Sequence, residues 1–128
     1  MAFKEWTFYL VVSNYTDRPL KLLNDQLPWG RRRGDFTQSI EPGKDATYQW
    51  YTPGGAPTGM EFSLTFTDVP AGQEPAYGTV EIKVDMPFAR HVNTSSCKAS
   101  GKLQAEGFTP VPNGAHNHST SVNVTCNK

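Results

Sequence analysis

The residues best suited to binding chemistry lie in one short segment, where Trp29 is followed after Gly30 by the run Arg31, Arg32 and Arg33. An indole ring favours the interfacial region of a membrane, and a guanidinium group forms two parallel hydrogen bonds with a phosphate. The segment therefore predicts a loop that contacts lipid headgroups. The alternative is a core tryptophan beside a solvated run of charge, and the segment alone does not separate the two.

No motif for catalysis accompanies it. The sequence contains no nucleophile elbow, zinc-protease motif or phosphate loop, so we expect no catalytic residues and no enzyme activity. His116 and His118 would share one face of an extended segment, with His91 as a candidate third metal ligand, but a solvated loop is the favoured interpretation. We expect no metal and no cofactor. Four aspartates have no spacing that specifies a catalytic pair: Asp25, Asp35, Asp68 and Asp85.

The charge of the chain argues against a nucleic-acid partner. Its 128 residues carry 12 Lys+Arg and 12 Asp+Glu, which gives a formal net charge of zero, and one short arginine patch is weak support for single-strand binding. The distribution is uneven, because residues 1–33 carry six basic and three acidic groups, whereas residues 34–85 carry two and eight. Residues 86–128 carry four and one, so the two basic segments would form one surface if the first and last strands pair.

Period-two alternation is the strongest structural signal. The clearest case is residues 60–67, which are apolar at every even position, and similar segments cover residues 6–13, 20–23, 45–50, 79–84 and 121–126. The segments at residues 6–13 and 20–23 predict a first hairpin. Together, all of these segments predict an all-β fold, a single-domain antiparallel β-sandwich over residues 1–128. The predicted core contains Phe8, Leu10, Phe62, Leu64, Phe66, Val80, Ile82 and Val122.

The cysteines and the N-terminus bear on where the protein resides. Cys97 and Cys126 form either a disulfide or two buried thiols, and we expect them to pair under oxidising conditions. The opening segment has no cleavage site, and no apolar run reaches the roughly 18 residues of a membrane span. We therefore expect a soluble protein made in the cytoplasm without a signal peptide, with release from the cell left open.

The order of these features resembles the aegerolysin family over nearly the whole chain, from Phe8 to Cys126. The resemblance rests on the order and spacing of short motifs. These are the first strand ending at Asn14, Trp29-Gly30, Thr58-Gly59 leading into the strand at Glu61, Asp85-Met86-Pro87-Phe88, and a short final β-strand.

The resemblance implies a β-sandwich that recognises lipids of a target-cell membrane and lies peripherally on it. It further implies the recognition component of a two-component pore-forming or insecticidal toxin system, with a larger pore-forming partner. By position, Trp6 and Trp29 match aromatic residues at the lipid-facing end of the family, and Phe88 stands where fungal members carry a tryptophan. Residues 55–58 offer no carboxylate where fungal members have one that matters for sphingolipid choice.

Two other functions fit the same residues. A carbohydrate-binding β-sandwich lectin also uses exposed Trp, Tyr and Asn side chains, and a structural domain without any ligand is the third possibility.

Overall fold

A computed structural model describes residues 5–52, 59–88 and 92–127. These ranges contain ten β-strands and no helix, and so no helix long and apolar enough to cross a membrane. The strands are β1 (Thr7–Asn14), β2 (Leu20–Trp29), β3 (Arg31–Arg33), β4 (Ser39–Ile40), β5 (Asp45–Tyr51), β6 (Met60–Asp68), β7 (Thr79–Met86), β8 (Thr94–Ala99), β9 (Leu103–Glu106) and β10 (Asn117–Cys126).

The strands form two five-stranded sheets. Sheet I has the order β3-β5-β1-β10-β9, and sheet II has the order β4-β2-β6-β7-β8. Every pairing is antiparallel except that of β1 with β10, which run parallel. The first and last strands are therefore neighbours, which is the condition set for one shared basic surface. The predicted β-sandwich is confirmed.

The core lies between the two sheets and follows from the alternation in the sequence. In β6 the even positions are buried and the odd positions face outward, because successive side chains of a strand point to opposite faces. Phe62 of sheet II stacks on Trp50 of sheet I, with ring centroids 3.6 Å apart, and contacts Phe8 edge-on at 5.0 Å. All eight residues of the predicted core are at most 2% exposed.

The predicted first hairpin is wrong, because β1 and β2 belong to different sheets. The turn between them is organised by the buried side chain of Asn14. Its Nδ2 donates to the carbonyl oxygens of Arg18 and Ile40, each at 2.8 Å, and its Oδ1 accepts from the backbone N–H of Thr16 at 2.9 Å. An asparagine that bonds nearby backbone in this way reverses the chain locally, and here the chain continues into the opposite layer.

The predicted disulfide is also wrong. Cys97 lies on β8, which pairs with β7 in sheet II, whereas Cys126 ends β10 in sheet I and pairs with Leu103. Both cysteines are free thiols. The final strand does lie against neighbours, β1 and β9. Burial raises the pKa of the Cys97 thiol to about 11, which keeps this thiol protonated near neutral pH.

Candidate functional site

Strand registers bring several strand ends together at one end of the sandwich. In sheet I, Thr7 at the start of β1 pairs with Tyr51 of β5 and with Asn117 of β10. In sheet II, Met60 at the start of β6 pairs with Met86 at the end of β7. We call this region the tryptophan end, and define it by Trp6, Trp29, Arg31, Tyr51, Phe88 and His116.

Trp29 and Gly30 form the link between the sheets at this end. Trp29 is the last residue of β2 and pairs with Glu61, and its side chain is 59% exposed. Gly30 has φ = 108°, a backbone conformation that favours glycine, and the next residue begins β3 in sheet I. The exposed indole is therefore carried by a strand end and a tight crossover, and not by the loop that the sequence predicted.

The three arginines are not equivalent, because they form a short strand. Arg31 and Arg33 lie on one face of β3 and Arg32 on the other. Arg32 Nε donates to Asp25 Oδ2 at 2.8 Å. Arg33 Nη2 donates to Glu5 Oε1 at 2.9 Å, and its guanidinium lies 4.2 Å from the centre of the Tyr51 ring.

Arg31 differs from both of its neighbours. It is exposed, pairs through its backbone with Tyr51, and has no ion-pair partner within residues 5–52, 59–88 and 92–127. A guanidinium that is not held by a carboxylate keeps its donors available for a ligand anion. Of the three arginines predicted to bind phosphate, Arg31 is therefore the one that no carboxylate of the described residues holds.

Trp6 lies behind the surface and not on it. It is 5% exposed, with its ring stacked on His116 at 4.3 Å and on Phe88 at 6.0 Å. Its backbone exchanges two hydrogen bonds with Thr52, one to the hydroxyl at 3.0 Å and one from the N–H at 2.9 Å. The expected direct lipid contact of Trp6 is thus not available in this structure, and its ring instead supports the half-buried Phe88.

Gly59 fixes the path of the segment that ends in Phe88. A Cβ atom at this position would lie 2.3 Å from the carbonyl oxygen of Met86 and 2.7 Å from the backbone nitrogen of Phe88. No side chain fits at such distances. The glycine therefore allows the start of β6 to lie against the segment that follows β7 and that carries Phe88.

The histidines take part in packing. His116 stacks on Trp6, and His118 Nε2 lies 2.9 Å from the carbonyl oxygen of Thr109. Within the described ranges, no group of three or more His, Cys, Asp or Glu side chains is arranged to hold a metal. His91, the candidate third ligand, lies outside those ranges, and so do residues 55–58, which the family resemblance links to sphingolipid choice.

The four aspartates are dispersed, and one of them belongs to a cluster that sequence reasoning missed. Asp68 is buried at the end of β6 opposite to the tryptophan end, where Arg18 Nη1 donates to its Oδ2 at 3.0 Å. The guanidinium also binds Glu74 at 2.7 Å and lies 3.6 Å from the Tyr77 ring centre. The signal was present in the sequence, because Asp68 occupies an even, inward position of the β6 alternation, where a carboxylate needs a partner.

Hydrogen bonding sets the charge of Asp68. Burial alone would raise the pKa of its carboxyl group, but the backbone N–H groups of Tyr77 and Gly78 and the Arg18 guanidinium all donate to the ionised form. Their combined effect lowers the pKa below its usual value. The cluster therefore holds the connection between β6 and β7 through a charged pair.

Comparison with known proteins places the chain by fold. No protein-family model and no curated protein sequence matches it. Among solved structures, IP-1A from Alcaligenes faecalis matches with a TM-score of 0.74 and 14% identity, over 96% of this chain and 92% of that chain. The RahU protein, solved in complex with a TRIS molecule, matches with a TM-score of 0.64 and 13% identity, over 96% and 95%.

A third solved structure is the lipid-binding protein Nakanori, with a TM-score of 0.63 and 10% identity over 96% of this chain and 71% of that chain. At these identities the likeness establishes the fold. The prediction of an aegerolysin-like β-sandwich is confirmed at that level.

Proposed function

We propose that this protein belongs to the aegerolysin family and binds membrane lipids through its tryptophan end, with Trp29 and Arg31 as the principal contacts. The observation that carries the proposal is the adjacency, across Gly30, of a 59% exposed indole and a guanidinium that has no ion-pair partner among the described residues. The lipid-binding description of Nakanori, whose fold is similar, supports the same class of ligand.

The two side chains have complementary roles at a bilayer surface. An indole ring partitions to the interface between headgroups and acyl chains. The Arg31 guanidinium, on the adjoining strand, then lies at the depth where phosphate groups bind arginine through paired hydrogen bonds. Phe88 adds a half-buried apolar ring, supported from behind by Trp6. Arg32 and Arg33 contribute less, since each already binds a carboxylate.

Co-sedimentation with vesicles containing phosphatidylserine tests the role of Arg31. One arginine near an anionic surface contributes about 1 kcal/mol, so Arg31→Gln should weaken binding about fivefold. The loss should shrink as NaCl rises from about 50 mM to about 300 mM, because salt screens the contact. Arg33→Gln is the matched control, since it removes the same charge from the same face of β3. Equal losses for the two variants would contradict the assignment.

We further propose that damage to a target cell needs a larger pore-forming partner. This division of labour rests on the resemblance to two-component systems, in which the small protein recognises lipid and a larger chain perforates. Dye release from vesicles that this protein binds measures whether it perforates a membrane without a partner. The expected result is binding without release, and release by this protein alone would contradict the proposal.

A further inference from the structure

A groove of about 360 Å³ lies on the outer face of sheet II, next to the tryptophan end. Its floor is formed by outward-facing residues of β6 and β7, and its sides by residues of β2 and β8. The volume is at the lower end of the range for small-molecule sites. It therefore suits a ligand of one or two ring units.

Strand register explains why polar side chains collect there. One row across the sheet runs Gln26, Ser63, Lys83 and Ser96. Directly opposed side chains on one face of a sheet have Cβ atoms about 5 Å apart. The row therefore places an amide, two hydroxyls and a lysine side chain side by side in the groove, with the Lys83 ammonium 3.7 Å from Glu81 Oε1.

The next row contains two carboxylates that face each other. Glu61 pairs with Asp85, which pairs with Thr94, and all three line the groove. Neither carboxylate has an ion pair or a side-chain hydrogen bond to any residue in the described part of the chain. Like charges directly opposite each other are unfavourable. A ligand that donates hydrogen bonds to both carboxylates would relieve this repulsion.

The chemistry of the two rows selects the class of ligand. An anion would be repelled by the two carboxylates. A purely cationic group would be attracted to them, but it would leave the donors of Gln26, Ser63 and Ser96 without an acceptor. A neutral sugar has several hydroxyls that donate to carboxylates and accept from the amide, hydroxyl and ammonium groups. Pro28 supplies a small apolar surface in the same groove for the C–H face of a sugar ring.

We propose that this groove binds a neutral saccharide, through Glu61 and Asp85 as the main hydrogen-bond acceptors. The inference does not depend on the proposed lipid contact, because neither carboxylate belongs to the tryptophan end. The sugar can be part of a soluble glycan or the headgroup of a glycosylated lipid, which would then lie beside Trp29 as the protein meets a membrane.

Nuclear magnetic resonance titration of ¹⁵N-labelled protein tests the site. The probes are methyl glycosides of glucose, galactose, mannose and N-acetylglucosamine at millimolar concentrations, with choline chloride as a comparison. At least one sugar should shift the backbone amide signals of β6 and β7 around Glu61 and Asp85. Shifts by choline alone, or by none of the probes, would overturn the proposal.

Variants then connect the binding to the two carboxylates. Glu61→Gln with Asp85→Asn should weaken sugar binding about tenfold or more, because each loses a charge-assisted hydrogen bond. Glu106→Gln with Asp45→Asn is the matched control, since both residues are exposed acidic positions on strands of sheet I. Unchanged affinity in the first variant, with a native amide spectrum, would overturn the assignment.

A vesicle experiment separates the two sources of sugar. Phosphatidylcholine vesicles with and without glucosylceramide or galactosylceramide are compared for co-sedimentation. A gain with either glycolipid that the Glu61→Gln, Asp85→Asn variant loses assigns the groove to a lipid-linked sugar. Sugar binding in solution without that gain assigns it to a soluble or protein-linked glycan. Binding to plain vesicles should be the same for the variant and the wild type.

Discussion

Replacing Trp29 by Ala removes the largest exposed ring of the tryptophan end. The side chain is 59% exposed and ends a strand, so the core between the sheets does not depend on it. Surface substitutions of this kind usually change stability by less than about 0.5 kcal/mol. The variant should therefore fold as the wild type does, and any loss of membrane binding can be assigned to the ring itself.

The size of the loss follows from the exposed area. A tryptophan side chain has about 250 Å² of surface, so an exposed fraction of 59% leaves roughly 150 Å² to bury. At about 25 cal/mol per Å², full burial would contribute about 4 kcal/mol. A ring that enters the interface to half its exposed area contributes about 2 kcal/mol, which is about 30-fold in affinity.

Co-sedimentation with phosphatidylcholine vesicles measures this difference. Tyr15→Ala is the matched control, because Tyr15 is 63% exposed but follows β1 at the other end of the sandwich. We expect Trp29→Ala to weaken binding by about 10-fold to 100-fold and Tyr15→Ala to leave it unchanged. A loss below about threefold for Trp29→Ala, or equal losses for the two variants, would refute the reasoning.

Three further outcomes test the fold and its charged groups. Phe62→Ala should lower the free energy of unfolding by about 3–5 kcal/mol in urea titration, because it empties the site beneath Trp50. Folding lowers the pKa of Asp68, so the ionised carboxylate stabilises the protein at pH values above the pKa of the unfolded chain, which is about 4. This stabilisation is lost as the pH falls through the lower pKa of the folded state. The free energy of unfolding of Asp68→Asn should therefore depend less on pH in that acid range. Alkylation of Cys97 by iodoacetamide should be slow at pH 8 and fast in denaturant, because burial raises its pKa to about 11 in the folded protein. Equal rates would contradict the partial burial of this thiol.

The layers of the fold could be predicted from the sequence, but several strand partners could not. Alternation over residues 60–67 allows one orientation in which Phe62, Leu64 and Phe66 all face inward, so both the strand and its buried face followed. The alternation that begins at Leu20 would bury the same side chains in either sheet. Period-two alternation indicates which face of a strand is buried, but it does not indicate which strand is its neighbour. The crossover depended on the side-chain bonds of Asn14, which no pattern of apolar residues reveals.

The residue types of the candidate site could be predicted from the sequence, but the contacts that these residues make in the fold could not. Trp29 was identified from its residue type and its neighbours. The difference between Arg31 and the next two arginines arises because Asp25 and Glu5 come close only after folding. The groove on sheet II was missed for a related reason, since its carboxylates are 24 positions apart in the chain and meet only through the register of β6 and β7.

Quenching of tryptophan fluorescence by brominated phosphatidylcholine tests most directly whether the tryptophan end meets the membrane. Trp6 and Trp50 are 5% and 1% exposed, so Trp29 is the indole placed to reach the lipid. We expect brominated vesicles to quench the fluorescence of the wild type, whereas Trp29→Phe should still bind and show almost no quenching. Vesicle binding without quenching of the wild type, or quenching that persists in Trp29→Phe, would contradict this expectation.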